Sequence, residues 1–398
     1  MKRRELAYDL FKEYYANISE DKIFVPPNMD AREFAFQLFG SEGMMRHISF
    51  KKLEELIEYL KLKVPKHAYY STAYFLSPSM PEMSSKGWIG ADLVFDIDAD
   101  HIETACKKEH DKWECLNCGE VGVGMTPAKC PHCGSSRIEA ITWICDRCIE
   151  EARREAVKLI EEFIVPDLGI NPNDITIVFS GHRGFHIHVR DRRYMKLDSN
   201  QRREIVDYIK GLGIRVDLLG LKYSRKPNPL GPDILDPSWR GRIAKGVVDI
   251  LMERPEILLT WRSDKKDVIK SIAREASENI LRYPSNWLLL KSFLKNKIED
   301  FINHVVEVYA CKIDEKVTID IHRLIRLPGT LHGKTGLIVS VLSKESLEKF
   351  SVDDSLSPFK GEAYIEIMDA PPPIPIMGYS IEWSKGKIKV PLSLAVYL

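Results

Sequence analysis

The pattern of apolar and polar positions along the chain predicts an α/β protein of mixed α+β type. Apolar residues at helical spacing predict helices over residues 4–18 and 51–62, and a longer helix between Cys148 and Pro166. Residues 264–309 also have a mainly helical pattern. Alternating or continuous apolar runs predict the strands, at residues 32–37, 46–50, 67–76, 91–98, 175–180 and 185–189.

Two carboxylates stand at the end of the strand predicted over residues 91–98. Alternate side chains share one face of a strand, so Asp96 and Asp98 point together to one side while their apolar neighbours point into a core. Adjacent carboxylates repel each other unless a cation lies between them, and oxygen ligands favour Mg²⁺ or Mn²⁺ over Zn²⁺. The pattern predicts a divalent metal site, with a solvated acidic loop that includes Asp100 as the alternative.

The composition of the 398-residue chain, 44% hydrophobic and 29% charged, is typical of a soluble globular protein with one large or two medium domains. No apolar run approaches the roughly 20 residues of a membrane span, and the first residues lack a secretory core, so we expect an intracellular protein. The 58 basic and 58 acidic residues cancel, so a nucleic-acid surface must be a local patch. Residues 215–245, which include Tyr223 and Trp239, form either such a patch or a surface loop.

Seven of the eight cysteines lie between residues 99 and 150. In a chain without an export signal, cysteines at this spacing are metal ligands before they are disulfides, and two tetrahedral zinc sites need eight ligands. Removing residues 114–143 leaves one compact site, the knuckle, made of Cys106, His110, Cys145 and Cys148. The removed segment is the ribbon, whose ligands are Cys115, Cys118, Cys130 and Cys133. The alternative is a redox-active or purely apolar cysteine cluster.

Two further stretches are suited to phosphate groups. Between two predicted strands, a tight turn contains Ser180 and Arg183 with two glycines, which expose backbone N–H groups beside a guanidinium. A hairpin tip with an incidental arginine is the alternative. Near residue 330, a third carboxylate, Asp314, precedes a glycine-containing loop that carries three groups suited to outer phosphates, Arg326, His332 and Lys334.

Together these motifs resemble the small, catalytic subunit of archaeal and eukaryotic DNA primase. They are Asp96-Ile-Asp98, Ser180-Gly-His-Arg183-Gly-Phe-His186, and Asp314 followed by His332-Gly-Lys-Thr-Gly336. The resemblance implies an archaeal form of this family, with a mixed α/β catalytic domain. It also implies a division of the chain into a first catalytic part with a zinc-binding insertion, a mainly helical accessory region, and a second catalytic part with a tail. The bounds of these parts are residues 1–191 (insertion 104–149), 192–305 and 306–398.

The resemblance assigns roles to individual residues. Asp96, Asp98 and Asp314 match the ligands of Mg²⁺ or Mn²⁺, with Asp320 as the competitor for the third position. The residues that match nucleotide-binding positions are Arg46, Ser180, Arg183, His186, Arg326, His332 and Lys334. Arg326 stands where some members have a triphosphate-binding lysine, and Lys334 is a second candidate for that role. The role of His182 stays open, and we expect the ribbon, which departs from the minimal family pattern, to contact template or another subunit.

The implied function is that of a nucleotidyltransferase, a DNA primase with DNA-directed RNA polymerase activity. Such an enzyme makes short RNA primers from nucleoside triphosphates on single-stranded DNA by two-metal nucleotidyl transfer, and the sequence leaves open whether it also uses deoxynucleotides. The implied partner is the primase large subunit, with which the chain would form a heterodimer. The implied location is the replication fork in the cytoplasm, and no membrane association is expected. Three alternatives remain: a related repair polymerase, a metal-dependent nuclease, and a non-catalytic zinc-ribbon protein that binds nucleic acid.

Overall fold

The computed structural model of the protein describes residues 3–221, 231–367, 374–380 and 386–398. Contacts between residues divide the chain into two compact units. The first unit comprises residues 1–157, 170–202 and 313–398, and the second comprises residues 158–169 and 203–312. The division predicted from the sequence, with boundaries at residues 191 and 305, stays a prediction.

The strands of the described residues all lie in the first unit. In chain order, β1 to β15 are Phe34–Leu38, Met44–Ile48, Pro65–Ser71, Ala73–Phe75, Trp88–Ala91, Leu93–Asp98, Lys112–Cys115, Val121–Val123, Ile138–Ile141, Ile175–Phe179, Gly184–Val189, Leu324–Arg326, Ser340–Leu342, Glu362–Ile367 and Gly386–Pro391.

The α-helices of the described residues occur in both units. In chain order, α1 to α12 are Arg3–Ala16, Leu53–Lys63, Lys107–His110, Asp146–Lys158, Ser199–Ile209, Ser238–Glu253, Lys266–Leu281, Leu288–Leu294, Ile298–Tyr309, Glu315–Ile319, Lys344–Glu348 and Leu392–Tyr397. Helix α4 continues into a π-helical segment, Leu159–Ile164, before the predicted stop at Pro166.

Two four-stranded antiparallel sheets form the frame of the first unit. One has the strand order β13-β10-β11-β6 and carries the acidic strand at its edge. The other has the order β12-β3-β1-β2. The rings of Tyr70 on β3 and His188 on β11 stack with centroids 6.1 Å apart, so the two sheets meet at this pair.

The alternation predicted for β6 is present in the structure. Its apolar residues Leu93, Phe95 and Ile97 are fully buried, while the side chains of Asp96 and Asp98 remain 19% and 23% exposed. The sheets and flanking helices confirm the predicted mixed α/β fold. The described C-terminal residues 386–398 form β15 and the helix α12.

The second unit is helical, with α6, α7 and α9 packed together. Trp239 on α6 is buried, and its indole Nε1–H donates to the carbonyl of Tyr208 at 2.7 Å. This side chain therefore offers no exposed ring for a nucleic-acid base, contrary to one reading of residues 215–245. Tyr223, the other aromatic residue of that stretch, lies outside the described residues. In the described part of the chain, every helix is too short or too polar to cross a membrane.

Candidate active site

A cleft of about 290 Å³ in the first unit gathers most of the predicted catalytic and nucleotide-binding residues. Strand β6 supplies its acidic wall, while the β10–β11 turn, strand β12 and the loop after β12 supply its basic wall. Its polar lining residues are Tyr69, Asp96, Asp98, Ser180, His182, Arg183, His186, Arg323, Arg326, His332 and Lys334. Motifs that lie more than 200 positions apart in sequence therefore share one cleft.

The ionisation of Asp96 is strongly perturbed. Burial, together with the nearby charges of Asp98 and Asp314, raises the pKa of Asp96 from 3.8 to about 7, although Arg323 and Arg326 act in the opposite direction. A carboxylate in this position is costly in its charged form unless a cation compensates it. The surroundings of Asp96 therefore favour a bound cation.

Asp314 lies beside Asp96 in the fold. Its backbone N–H donates to the carbonyl of Asp96 at 2.8 Å, and its carboxylate caps helix α10 by accepting from the N–H of Lys316 at 2.9 Å. The competitor, Asp320, instead accepts from the N–H of His322 at 2.9 Å. The position of Asp314 favours it as the third carboxylate, and its metal role stays a prediction.

The oxygen donors of Asp96, Asp98 and Asp314 fit a hard divalent cation. In the described residues, however, the groups whose ligand atoms all lie within 4.8 Å of one another are two Cys/His clusters, and the three carboxylates do not form such a group.

Arg183, on the β10–β11 turn of the basic wall, pairs with two carboxylates. Its Nε lies 2.8 Å from Oδ1 of Asp98, and its Nη1 forms a second ion pair with Asp100. The predicted nucleotide-binding role of Arg183 is untested, and its guanidinium is engaged by these two carboxylates.

The tight turn between β10 and β11 requires its two glycines. Gly181 has a φ of +76°, and a Cβ there would lie 2.9 Å from Cβ of His332. A Cβ on Gly184 would lie 2.1 Å from the carbonyl oxygen of Ile97 on β6. The hydroxyl of Ser180 closes the turn by accepting from the N–H of Gly184 at 3.2 Å. The predicted strand–turn–strand is therefore present, and it brings the turn against both other motifs.

His186 faces Asp96 across the β11–β6 pair. Its Nε2 lies 3.7 Å from Oδ1 of Asp96, and its buried Nδ1 has no hydrogen-bond partner among the described residues. Burial and the charges of Arg326 and Arg323 lower the pKa of His186 to about 3. The imidazole is therefore neutral at physiological pH and can donate one hydrogen bond into the cleft.

Three histidine rings form the base of the basic wall. His332 stacks on His182, with ring centroids 4.8 Å apart, and meets the edge of His67 at 4.9 Å. Burial comes first among the causes that lower the pKa values of His67 and His182 to about 3, and the pKa of His332 is well below its usual value for the same reason. All three rings are neutral near pH 7.

His67 has a defined tautomer. Its Nδ1 faces two donors, the Nη1 group of Arg326 at 2.8 Å and the backbone N–H of Gly333 at 3.2 Å. A nitrogen between two donors must act as the acceptor, so the ring proton of His67 resides on Nε2. His67 thereby orients a predicted triphosphate-binding arginine and the loop that follows it.

Arg46 is placed differently from the other predicted nucleotide-binding residues. Its Nε lies 2.9 Å from Glu33, and Arg46 is not among the residues that line the cleft. Burial acts to raise the pKa of Glu33, but hydrogen bonds from Lys86 and Arg46 outweigh it and lower the pKa. The structure therefore pairs Arg46 with a buried carboxylate, and its nucleotide-binding role is untested.

The cysteines form the two clusters expected from their spacing. The groups are Cys106, His110, Cys145 and Cys148, and Cys115, Cys118, Cys130 and Cys133. All of these cysteines are free thiols, and the ligand atoms of each group lie within 4.8 Å of one another. Each group has the donor set and compactness of a structural zinc site, so the two clusters can hold two zinc ions.

The knuckle also has an oriented histidine. Nδ1 of His110 lies 2.8 Å from Oδ1 of Asp111, and Nε2 of His110 lies 3.4 Å from Sγ of Cys148. A carboxylate on the far nitrogen is the usual partner of a zinc-binding imidazole. This contact directs Nε2 of His110 toward the cysteines.

A family model for the DNA primase small subunit matches residues 135–343. The DNA primase small subunit PriS of Methanothrix thermoacetophila is 33% identical, over 98% of this chain and 95% of the relative. The proteins of the same name from Pyrobaculum aerophilum and Nitrosopumilus maritimus are 36% and 33% identical over 98% of this chain and cover 95% and 94% of the relatives. The chain belongs to the DNA primase small subunit family. The predicted membership in this family, in its archaeal form, is confirmed, and with it the predicted primase function.

Sequence reasoning missed three residues, two that line the cleft and one that orients a cleft residue. Arg323 and Tyr69 line the cleft, and His67 orients Arg326. Tyr69 pairs with Arg326 in the register of β3 and β12, and the Arg326 guanidinium lies 5.2 Å from the Tyr69 ring centroid. Arg323 could have been noticed three positions before Arg326, whereas the pairing of β3 with β12 has no local sequence signal.

Proposed function

We propose that this chain is the catalytic subunit of a primase that joins nucleoside triphosphates on a single-stranded DNA template. The observation that carries the proposal is the opposition of two walls in one cleft. Asp96 and Asp98 stand on the acidic wall, and a set of cationic and imidazole groups stands on the other. A nucleoside triphosphate with its divalent cations has the complementary distribution of charge.

The carboxylates of Asp96, Asp98 and Asp314 would hold the divalent cations, Mg²⁺ or Mn²⁺. When bound, these cations supply activation of the attacking 3′-hydroxyl and charge neutralisation on the triphosphate and the leaving pyrophosphate. The partly buried position of Asp96 favours this loading, because a cation removes the cost of ionising a carboxyl with a pKa of about 7.

The basic wall would hold the triphosphate. Arg326 and Lys334 supply positive charge there, and His332 supplies a neutral imidazole. Nδ1 of His332 faces the backbone N–H of Lys334 at 3.3 Å, so its proton resides on Nε2, the nitrogen left to donate to a phosphate oxygen. Neutral donors of fixed tautomer bind the nucleotide without a change of protonation near pH 7.

Arg183 would change partners during loading. Its ion pair with Asp98 occupies an oxygen ligand of the proposed metal site. Once Asp98 ligates a cation, its charge is compensated, and the guanidinium of Arg183 is available for the nucleotide. Ser180 and His186 would contact the incoming nucleotide from the same turn and strand.

The remaining parts of the proposal rest on the family. The two clusters would hold structural zinc, and the ribbon, residues 114–143, would contact template or another subunit. Exposed apolar side chains of the ribbon, including Val121 and Val123 on β8, fit such a contact. The partner would be the primase large subunit, and the site of action the replication fork in the cytoplasm. The catalytic parts would correspond to the first unit.

The experiment is unprimed synthesis on single-stranded DNA, with labelled nucleotides and Mg²⁺ or Mn²⁺, in the presence and absence of the large subunit. We expect new products with the unchanged chain, and loss of those products by at least about 10³-fold with Asp96→Asn/Asp98→Asn. Asp9→Asn, an exposed carboxylate on α1, is the matched control.

Two results would contradict the proposal. Extension of a supplied primer without initiation, even with the large subunit, would favour a repair polymerase. Absence of any synthesis, with DNA binding unchanged in Asp96→Asn/Asp98→Asn, would favour a zinc-ribbon binding protein.

A further inference from the structure

The knuckle follows the acidic strand closely in sequence, and hydrogen bonds connect the two in the fold. Strand β6 ends at Asp98, a single 3₁₀ turn, Ala99–His101, follows, and the first knuckle ligand is Cys106. Asp98 is the N-cap of this turn, since its Oδ1 accepts from the N–H of Asp100 at 2.9 Å. The geometry of the turn therefore sets where the Asp98 carboxylate points.

A buried lysine connects the knuckle to that turn. Lys107 lies between the knuckle ligands Cys106 and His110, on helix α3. Its ammonium donates to the carbonyl of Ala99 at 2.7 Å and to the carbonyl of Asp100 at 3.0 Å. Lysine is rarely buried unless its charge is paired, and here two backbone oxygens of a single turn receive its protons.

We infer that Lys107 is a positioning residue that transmits the fixed geometry of the knuckle to the carboxylate of Asp98. The knuckle, once its four ligands are held together, fixes the backbone of α3 and with it the base of the Lys107 side chain. The ammonium then fixes the two carbonyls of the turn, and the turn fixes Asp98. This inference rests on the proposed function, because it assumes that Asp98 is a ligand of the divalent cation.

The contacts of Lys107 also stabilise a turn that carries two neighbouring carboxylates. Asp98 and Asp100 both face Arg183, whose backbone carbonyl also accepts from the N–H of Ala99 at 3.1 Å. When Asp98 binds a cation, Arg183 loses one of its partners on the turn. The hydrogen bonds of Lys107 go to backbone carbonyls and not to a carboxylate. They can therefore hold the turn both with and without a cation on Asp98.

The test compares Lys107→Met with Lys108→Met. Methionine keeps the unbranched apolar stem of residue 107 and removes its donors, while the neighbouring Lys108 is exposed and serves as the matched control. Zinc content per chain and the unfolding midpoint are measured first, followed by Mn²⁺ binding in the absence of nucleotide, by the loss of the free-ion electron paramagnetic resonance signal.

We expect Lys107→Met to retain both zinc ions and to bind Mn²⁺ about 10-fold more weakly, the lower end of the range for groups that orient metal ligands. Lys107→Arg, which restores donors, should recover part of the affinity, and Lys108→Met should bind as the unchanged chain does. Should Lys107→Met lose zinc or fail to fold, Lys107→Leu, a second variant without donors, is judged by the same criterion.

Asp98→Asn separates this inference from the proposed function. If Asp98→Asn binds Mn²⁺ more weakly, while Lys107→Met or Lys107→Leu is folded and zinc-loaded and binds Mn²⁺ normally, the inference is wrong and the proposed metal site is supported. If Asp98→Asn binds Mn²⁺ normally, the proposed metal site is wrong. The inference about Lys107 is then wrong as well, because it assumes that Asp98 is a ligand.

Discussion

Replacing Asp96 by asparagine should stabilise the protein when no Mg²⁺ or Mn²⁺ is present. The pKa of Asp96 in the folded chain is about 7, against 3.8 for the ordinary group. Each pKa unit corresponds to about 1.4 kcal/mol, so ionised Asp96 costs the folded state roughly 4 kcal/mol at pH 8. Asparagine has a similar shape and no charge, and it removes this cost.

The sign of the pH dependence follows from the raised pKa. A carboxyl whose pKa is higher in the folded state contributes stability below pH 3.8, and that contribution is lost as pH rises toward 7. The stability difference between Asp96→Asn and the unchanged chain should therefore be near zero at pH 4 and grow to its full value above pH 7. Groups that do not interact with Asp96, such as His67 with its lowered pKa, also titrate, but they are common to both proteins and cancel in the difference.

The assay is thermal or denaturant unfolding at pH 5, 6, 7 and 8, in buffers freed of Mg²⁺ and Mn²⁺ by dialysis. Chelators are avoided because they would also remove zinc from the Cys/His clusters. At about 2 °C per kcal/mol for a domain of this size, the midpoint of Asp96→Asn should exceed that of the unchanged chain by roughly 5–10 °C at pH 8.

Added Mn²⁺ should reverse the order once its concentration exceeds about 10³ times the Kd, because binding then stabilises the unchanged chain by about 4 kcal/mol and Asp96→Asn has less affinity for the ion. Asp9→Asn, an exposed carboxylate on α1, should differ from the unchanged chain by no more than about 0.5 kcal/mol. A destabilised Asp96→Asn at pH 8 without divalent cations, or a difference independent of pH, would refute the reasoning.

Three further predictions concern the zinc clusters, the basic wall and the acidic wall. Native mass spectrometry should find two zinc ions per chain, and one after Cys130→Ser/Cys133→Ser, because these residues belong to the ribbon cluster alone. His67→Leu should raise the KM for nucleotides roughly 10-fold with a smaller change in kcat, while His67→Asn, which keeps an acceptor near the position of Nδ1, should retain most of the affinity. Arg323→Met should shift the pH midpoint of Mn²⁺ binding upward, since Arg323 opposes the rise in the pKa of Asp96.

Each of these predictions has a contrary outcome. One zinc ion in the unchanged chain would contradict the two-cluster assignment. Equal KM values for His67→Leu and His67→Asn would show that the Nδ1 acceptor does not orient Arg326 in the enzyme. An unchanged pH midpoint in Arg323→Met, matching an exposed control such as Arg154→Met on α4, would remove Arg323 from the electrostatics of the acidic wall.

Local patterns in the sequence predicted the elements that carry the motifs. The alternation that ends in Asp96 and Asp98 identified β6, because a strand with one buried face has a period of two. Cysteine spacing grouped the ligands of the two clusters, since ligands of one zinc ion lie close together in the chain or in paired turns. These features depend on neighbours in sequence and could therefore be predicted from the sequence alone.

Features that depend on long-range pairing were not accessible. The register between β3 and β12 places Tyr69 beside Arg326, and those residues are more than 250 positions apart. The same pairing explains why His67 was missed. Arg46 was assigned to the nucleotide by resemblance, and its contact with Glu33 depends on the register of β1 with β2, which includes a bulge. Burial and partner identity at these positions are properties of the assembled sheets.

The central claim is that Asp96 and Asp98 hold divalent cations opposite a triphosphate bound on the basic wall. The most direct measurement is the anomalous scattering of Mn²⁺ in crystals soaked with Mn²⁺ and a non-hydrolysable nucleoside triphosphate. The account predicts manganese in contact with the carboxylates of Asp96 and Asp98, and phosphate density against Arg326 and His332. Manganese elsewhere, or a triphosphate bound away from this cleft, would contradict it.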